Sequence, residues 1–323
     1  MKWIRTTLCI ILVLFLLFCP GYLTKQSQIS FRDSRFIRTE NPYRGTALIY
    51  HIVRHRPFGG SLSNWLQKRA DEYEKKHRGS FITVEGISED TFQERMEHGR
   101  NADAYSFFSG SLYPDLLMPF EFDGPLLRSG LFLTDRSVPY CCSGYVKLIR
   151  NPDKAKPKTY YVNDVIAARM NAGESFIQEE QADILYLDMR RAGDLIRYKD
   201  GFANAVIEPV DSFTDAVCWF GIDRRTDSKK QELLESFFLW ILEEEQQSKL
   251  NGLGLLSVRA DMHNQAPDSS LKAVFKQYDT VETVDPFLWY SEYDALFTDA
   301  VLSRKGDTDA KLRFQKRLKE LIR

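Results

Sequence analysis

The sequence contains few cysteines. Five occur among 323 residues, and three of them, Cys141, Cys142 and Cys218, lie outside an apolar run at the N-terminus. An odd number without a C-x-x-C pair does not indicate a disulfide framework or a zinc ribbon. Adjacent cysteines do not readily bridge each other, so we expect buried free thiols. A disulfide bond from Cys218 to one of the two adjacent cysteines is the alternative.

The sequence also lacks an excess of charge of either sign. Its formal net charge is −1, and a nucleic-acid-binding surface would need a basic excess. We therefore expect no nucleic-acid partner. The content of 43% hydrophobic and 28% charged residues is typical of a folded protein, and 323 residues suffice for two domains of ordinary size.

Catalytic signatures are absent or incomplete. The segment His51-Ile-Val-Arg-His55 lacks the glutamate of a zinc-protease helix, and Gly252-Leu-Gly254 lacks the third glycine of a dinucleotide loop. Glu179, Glu180 and Asp183 could form an acid/base pair, although surface carboxylates are commoner. We therefore expect that the protein is not an enzyme and that it has no cofactor and no metal site. A tethered carboxylate enzyme ranks third among the possible functions.

A single apolar run begins the chain. A basic start precedes Leu8–Cys19, which holds twelve apolar residues without a charge. This pattern is typical of an export signal, since a full membrane span needs about 20 apolar residues. We predict a signal peptide or membrane anchor over 1–24 and a linker over 25–44. Lipidation of Cys19 is a weaker alternative, because Phe18 stands where a lipoprotein signal has a small residue.

Residues 46–110 predict alternating strands and helices. Apolar runs predict strands at 46–53 and 80–87, and a third strand and loop over 101–110. Helical spacing of apolar residues predicts one helix after Ser61 or Ser63 and a second after Ser88 that ends at Gly99. The order β-α-β-α-β predicts a doubly wound lobe whose ligands lie at the carboxyl ends of the strands.

A second strand–helix–strand unit lies near the C-terminus. Residues 212–223 are apolar and aromatic enough for a buried strand, and Ser228-Lys-Lys-Gln231 has the spacing of a capping box. One apolar stripe follows at Leu234, Phe237, Phe238, Ile241 and Leu242. The unit closes on the glycine-containing stretch 250–261.

Taken in order, these segments resemble bacterial extracellular solute-binding proteins of carbohydrate-type ABC importers. Further similar segments are the crossing at Ser137-Val-Pro-Tyr140 and Leu148-Ile-Arg-Asn151, the stretch 163–175, and the closing stretches 285–291 and 300–310. The resemblance spans 45–323. It departs at Asn101-Ala-Asp103, where the family usually has proline–aspartate, and at Ser257, which replaces a proline.

The resemblance implies a two-lobed α/β fold of the type II periplasmic-binding class, with doubly wound sheets joined by hinge crossings. Lobe 1 would comprise 45–138 plus 214–275, and lobe 2 would comprise 139–213 plus 276–323. Lobe 2 would be abbreviated, because only eight residues separate Asn151 from Tyr160 where the family inserts a long helical section.

The resemblance also implies a function. The protein would be a monomer tethered outside the cytoplasmic membrane, and it would capture a small solute, preferably a sugar or oligosaccharide, between its lobes for ABC permease subunits. Hinge closure would hold the solute. The alternative is a tethered sensory or partner-binding protein with the same fold and no transport role.

Candidate ligand contacts follow from strand ends, crossings and aromatic residues that can stack on a sugar. Trp219 and Tyr140 could equally be core or hinge packing, and for Arg259 a structural ion pair is the favoured alternative. The candidates are Arg56, Phe58, Ser106, Phe107, Ser109, Tyr140, Trp219, Arg259, Trp289 and Tyr290.

Overall fold

The chain forms two β-sheets covered by helices. The computed structural model describes residues 45–54, 57–119, 123–131, 133–153, 160–162, 182–209, 214–278, 283, 285–287, 299 and 307–321. Within these ranges one sheet has six strands and the other has four. We call the six-stranded sheet with its covering helices the six-stranded lobe. We call the four-stranded sheet with its covering helices the four-stranded lobe.

The six-stranded lobe begins with the predicted alternation of strands and helices. Its elements are β1 (Gly45–Val53), α1 (Leu62–Lys76), β2 (Ser80–Ser88), α2 (Glu89–Glu97) and β3 (Ala104–Phe108). Strand β1 pairs in parallel with both β2 and β3. The side chain of Ser61 caps α1 and that of Ser88 caps α2, which confirms both predicted helix starts.

Three later strands complete this sheet, namely β4 (Val138–Cys142), β9 (Val217–Ile222) and β10 (Leu256–Ser257). The strand order is β10-β4-β9-β3-β1-β2, and β9 runs antiparallel to both β3 and β4. The sheet is therefore parallel at one side and mixed at the other.

Helix α4 (Ser228–Ile241) packs its apolar stripe into the core, and all five predicted stripe residues are buried. The predicted cap is wrong, however. Asp227 is the N-cap, and its carboxylate accepts from the backbone N–H groups of Lys229 and Lys230, both at 3.1 Å. Gln231 does not reach back to the cap; it donates to Glu235 at 2.8 Å. An aspartate caps as well as a serine, and here it precedes the serine by one residue.

The four-stranded lobe contains β5 (Tyr145–Ile149), β6 (Tyr160–Val162), β7 (Ile184–Asp188) and β8 (Val206–Pro209) in the order β6-β7-β5-β8. Strand β5 is antiparallel to β7 and β8, and only β6 and β7 are parallel among its described pairs. Helix α3 (Met189–Tyr198) follows β7, capped by Asp188.

The chain crosses between the sheets twice within the described residues, at 143–144 and at 214–216. Backbone pairing keeps β4 in the six-stranded sheet up to Cys142, so the first change of sheet falls later than the predicted boundary at 138/139. The remaining helices are α5 (Glu244–Ser248), α6 (Lys272–Tyr278) and α7 (Thr308–Leu321). Helix α6 lies against β8, although its residues up to 275 were predicted for lobe 1.

No helix in the described part of the chain is long and apolar enough to cross a membrane. The N-terminal segments 1–24 and 25–44, with Cys19, lie outside the described residues. The tether stays a prediction.

Candidate functional site

Polar side chains from both sheets meet where the chain crosses between them. Arg54 follows β1, Tyr145 begins β5 directly after the first crossing, and Asp215 lies in the second crossing. The Tyr145 hydroxyl donates to Oδ1 of Asp215 at 2.8 Å. Arg54 donates through Nη1 to the carbonyl of Ser109, and its Nη2 lies 4.0 Å from Oδ2 of Asp215. We call these four residues the hinge floor.

The hinge floor holds its charges out of water. The side chain of Asp215 is fully buried and that of Arg54 is 5% exposed. Burial raises the pKa of Asp215, and the opposing effects of Arg54 and of the Tyr145 hydrogen bond do not cancel that rise. A separation of 4.0 Å is within ion-pair range but too long for a hydrogen bond, and Oδ2 has no hydrogen-bond donor among the residues that the structure describes.

An unpaired buried acceptor is uncommon, because buried polar atoms are usually hydrogen-bonded. Burying a charge pair also costs free energy that a hydrophobic pair would not cost. The hinge floor therefore stabilises the folded chain less than a hydrophobic contact between the two lobes would. Such an arrangement can accept hydrogen bonds from a bound polar molecule and donate to it.

A carboxylate extends the polar region towards the surface. Oε1 of Glu89, in the first turn of α2, accepts from the Ser111 hydroxyl at 2.6 Å and lies 4.0 Å from Nε of Arg54. The Glu89 side chain is 37% exposed. The guanidinium of Arg54 thus lies between an exposed and a buried carboxylate.

A second interlobe contact lies at Phe58, in the loop after β1. Its ring is 4% exposed and contacts Gly193 of α3, where an added Cβ would stand 2.7 Å from the ring carbon Cε2. The Arg197 guanidinium lies over the ring at 4.2 Å from its centroid. The absence of a side chain at Gly193 is what admits the ring.

Hydrogen bonds to the backbone of the same loop come from both lobes. Arg190 of α3 donates to the carbonyl of Gly60 at 2.8 Å, and the N–H of Gly59 donates to the carbonyl of Leu253 at 3.0 Å. Gly254 has φ +76°, and a Cβ there would lie 2.5 Å from that of Phe58. We call residues 57–60, with the α3 residues that contact them, the interlobe latch.

Comparisons with solved structures find this architecture in known proteins. A cyclic α-maltosyl-1,6-maltose binding protein from Arthrobacter globiformis aligns with a TM-score of 0.59 at 9% identity, covering 87% of this chain and 99% of that one. The sugar-binding protein from Xanthomonas citri aligns with a TM-score of 0.55 at 10% identity, over 86% and 96% of the two chains. The chain has the type II periplasmic-binding-protein fold.

An extracellular solute-binding protein from Staphylococcus aureus, solved with maltose, aligns with a TM-score of 0.53 at 10% identity, over 87% of this chain and 98% of that one. Neither the family models nor the curated proteins yield a match. At such identities the likeness establishes the periplasmic-binding-protein fold, and the function has to be argued from the site.

Two of the predicted ligand contacts, Ser106 and Tyr140, lie in a buried polar cluster. The Ser106 hydroxyl is 2.8 Å from Nδ1 of His51 and 2.7 Å from the Tyr140 hydroxyl. The thiol of Cys218 donates to the Tyr140 hydroxyl at 3.2 Å. All four side chains are buried, and their hydrogen bonds tie β1, β3, β4 and β9 together. His51 is a structural histidine, as predicted.

Three further predicted contacts are Trp219, Ser109 and Phe107. Trp219 is fully buried, and its indole N–H donates to the Ser109 hydroxyl at 3.2 Å, while the backbone of Ser109 belongs to the hinge floor. Phe107 is buried and stacks on Phe287 with 6.1 Å between ring centroids. The structure therefore brings Trp219 against Ser109 of the hinge floor, and ligand contact by these three residues stays a prediction.

The remaining predicted contacts do not join the hinge floor. Arg259 forms an ion pair with Asp261, in which Nε donates at 2.8 Å, and it also donates to the carbonyl of Leu242 at 3.0 Å. This is the structural pairing that the sequence analysis favoured. Arg56, Trp289 and Tyr290 lie outside the described residues.

An open cavity of about 510 Å³ is formed by residues between Glu244 and Pro267. All of its lining comes from that one segment, so it is not part of the interlobe site. No group of three or more histidine, cysteine or acidic side chains in the described ranges is arranged to hold a metal ion.

Sequence reasoning missed three of the four floor residues. Arg54 lies two residues before the predicted contact Arg56, and neither Tyr145 nor Asp215 is among the predicted contacts. The available signal was position: Tyr145 closely follows the first predicted crossing at Tyr140, and Asp215 is the one carboxylate in Phe213–Ile222.

Proposed function

We propose that the protein is a membrane-tethered extracellular solute-binding protein that captures a sugar or oligosaccharide between its lobes and delivers it to ABC permease subunits. The observation that carries this proposal is the hinge floor, a cation and an anion buried where the two crossings meet. Support also comes from the periplasmic-binding-protein fold, whose structural neighbours include proteins described as binding maltose and maltotetraose.

The chemistry of the floor suits a polyol. Sugar hydroxyls can donate to Oδ2 of Asp215, which accepts from no donor within the described ranges, and can accept from the guanidinium of Arg54. Both side chains are nearly inaccessible in this structure, so a solute reaches them only when the lobes separate. Reclosure would then bury the solute, and the solute would favour the closed state.

A thermal-shift screen of the full chain in detergent tests the proposal. We expect maltose or maltotetraose to raise the melting temperature, since a ligand at 100 times its Kd stabilises the folded state by about 2.7 kcal/mol. Spermidine and zinc serve as ligands of other chemistry. The control is the double variant Arg54→Met/Asp215→Asn, which should fold and show no sugar-dependent shift. No shift with any sugar, or an equal shift in the variant, contradicts the proposal.

A second candidate function is sensory. A structure described as a two-component system protein that mediates signal transduction aligns with a TM-score of 0.50 at 12% identity, over 71% of this chain and 92% of that one. Cellular uptake of the labelled sugar separates the two functions. An importer component predicts that uptake falls when the chain is deleted, and a sensor predicts unchanged uptake. The enzyme alternative depends on Glu179 and Glu180, which lie outside the described residues.

A further inference from the structure

We propose that Cys141 and Cys218 form a cross-strand disulfide that ties together the two interlobe crossings where they leave the six-stranded sheet. In the structure both are free, fully buried thiols. The sequence left open whether Cys218 could bond either cysteine of the adjacent pair, and the strand register decides between them.

The register places Cys141 directly opposite Cys218 in the antiparallel pair of β4 and β9, just after a β-bulge between Pro139 and Cys141. Directly opposed residues of such a pair have Cα atoms about 4.5–5.5 Å apart and side chains on the same face. A disulfide needs about 4.4–6.8 Å between Cα atoms, a range that includes the spacing of directly opposed residues.

Cys142 is excluded by the same register. It opposes Val217, and successive residues of a strand point to opposite faces of the sheet. Its thiol therefore lies on the other face from that of Cys218. A bond between Cys142 and Cys218 would require β4 to slip by one residue, which would reverse the facing of every side chain in the strand.

The position of the pair gives the bond a mechanical consequence. Cys141 is the penultimate residue of β4, one residue away from the crossing at 143–144, and Cys218 is the second residue of β9, one residue away from the crossing at 214–216. A covalent bond between them fixes the separation of the two crossings where they leave the sheet. Movement of the lobes would then be confined to the crossing residues that lie between this bond and the four-stranded lobe.

The bond forms by stepwise thiol–disulfide exchange while both thiols are accessible to a small-molecule disulfide. The Cys218 thiolate attacks one sulfur of a small-molecule disulfide and displaces a thiolate. Cys141 then loses its proton and attacks the Cys218 sulfur of the mixed disulfide, releasing the second thiolate. Two protein thiols are oxidised and one external disulfide is reduced to two thiols.

Access of the oxidant limits when this can happen. Because both thiols are buried once the sheet is complete, oxidation takes place while the chain folds. An exported chain folds where disulfides persist. In the cell the inference therefore depends on the extracellular location proposed above, but the pairing itself can be tested in vitro without it.

The test is to refold the full chain from denaturant in detergent with a mixture of oxidised and reduced glutathione. Remaining thiols are then alkylated under denaturing conditions, and the tryptic digest is mapped by mass spectrometry. We expect peptides 137–147 and 200–224 to be recovered as a linked pair that dithiothreitol separates. The linked form should also melt at a higher temperature than the reduced form, because the crosslink restricts the unfolded chain.

Single variants assign the bond. Cys142→Ser should leave the linked pair intact, and Cys141→Ser should abolish it together with the difference in melting temperature. Recovery of both peptides fully alkylated in the wild type and in Cys142→Ser, after refolding to the native far-UV spectrum, overturns the proposal. So does a link that persists in Cys141→Ser. Neither result bears on sugar binding, which the thermal-shift screen measures separately.

Discussion

Replacing Phe58 by alanine is expected to lower the free energy of unfolding by about 3–5 kcal/mol, the usual cost of truncating a buried phenylalanine. The ring loses its contact with Gly193 of α3 and the overlying guanidinium of Arg197, so the interlobe latch is lost as well. Denaturant unfolding monitored by tryptophan fluorescence measures the change. Phe92, buried within the six-stranded lobe, provides the matched control Phe92→Ala, which should be destabilised without any coupling to Gly193.

The coupling is measured by adding Gly193→Ala. In the wild type the new Cβ would stand 2.7 Å from the Phe58 ring, and we expect overpacking to cost about 1–3 kcal/mol. In the Phe58→Ala background the clash is gone, and alanine should stabilise α3 by about 1 kcal/mol over glycine. The effect of one substitution therefore changes sign. The same sign in both backgrounds contradicts the latch.

Replacing Asp215 by alanine is expected to cost about 3–5 kcal/mol, since it leaves the buried charge of Arg54 without its nearby buried carboxylate. The Tyr145 hydroxyl also loses its acceptor. The double variant Arg54→Met/Asp215→Asn removes both charges and should recover most of the loss. Urea unfolding of the two single variants and the double variant gives the coupling energy.

A surface pair supplies the control for the hinge floor. Arg259 and Asp261 are also ion-paired, but the Asp261 side chain is 58% exposed. Asp261→Ala should cost at most about 1 kcal/mol, because exposed ion pairs contribute little. An Asp215 variant no more destabilised than the Asp261 variant would mean that the floor charges do not interact.

The beginning of the six-stranded lobe was predictable because its signals are local. Serine caps at Ser61 and Ser88, together with apolar runs on either side of each helix, are enough to set the order of elements. The cap of α4 shows the limit of this reasoning. Asp227 and Ser228 are both good caps, and only the backbone conformation of Asp227, with φ −67° and ψ 155°, decides between them.

The hinge floor was not predictable in the same way. Arg54 and Asp215 are separated by 160 residues, and nothing local to either of them indicates that they meet or that water is excluded. Phe58 was predicted as a ligand contact because it follows a strand end. The structure places its ring against Gly193, and a glycine within a helix carries no indication of which side chain fills the space above it. Contact of Phe58 with a solute stays a prediction.

The most direct test of the account is the distance between the lobes with and without sugar. Spin labels attached through non-natural amino acids at Lys75 of α1 and at the exposed Tyr198 of α3 report on the two lobes in the full chain. We predict a broad distribution without solute that narrows to the shorter distance at saturating maltotetraose. Saturable binding with an unchanged distribution would contradict capture by closure between the lobes.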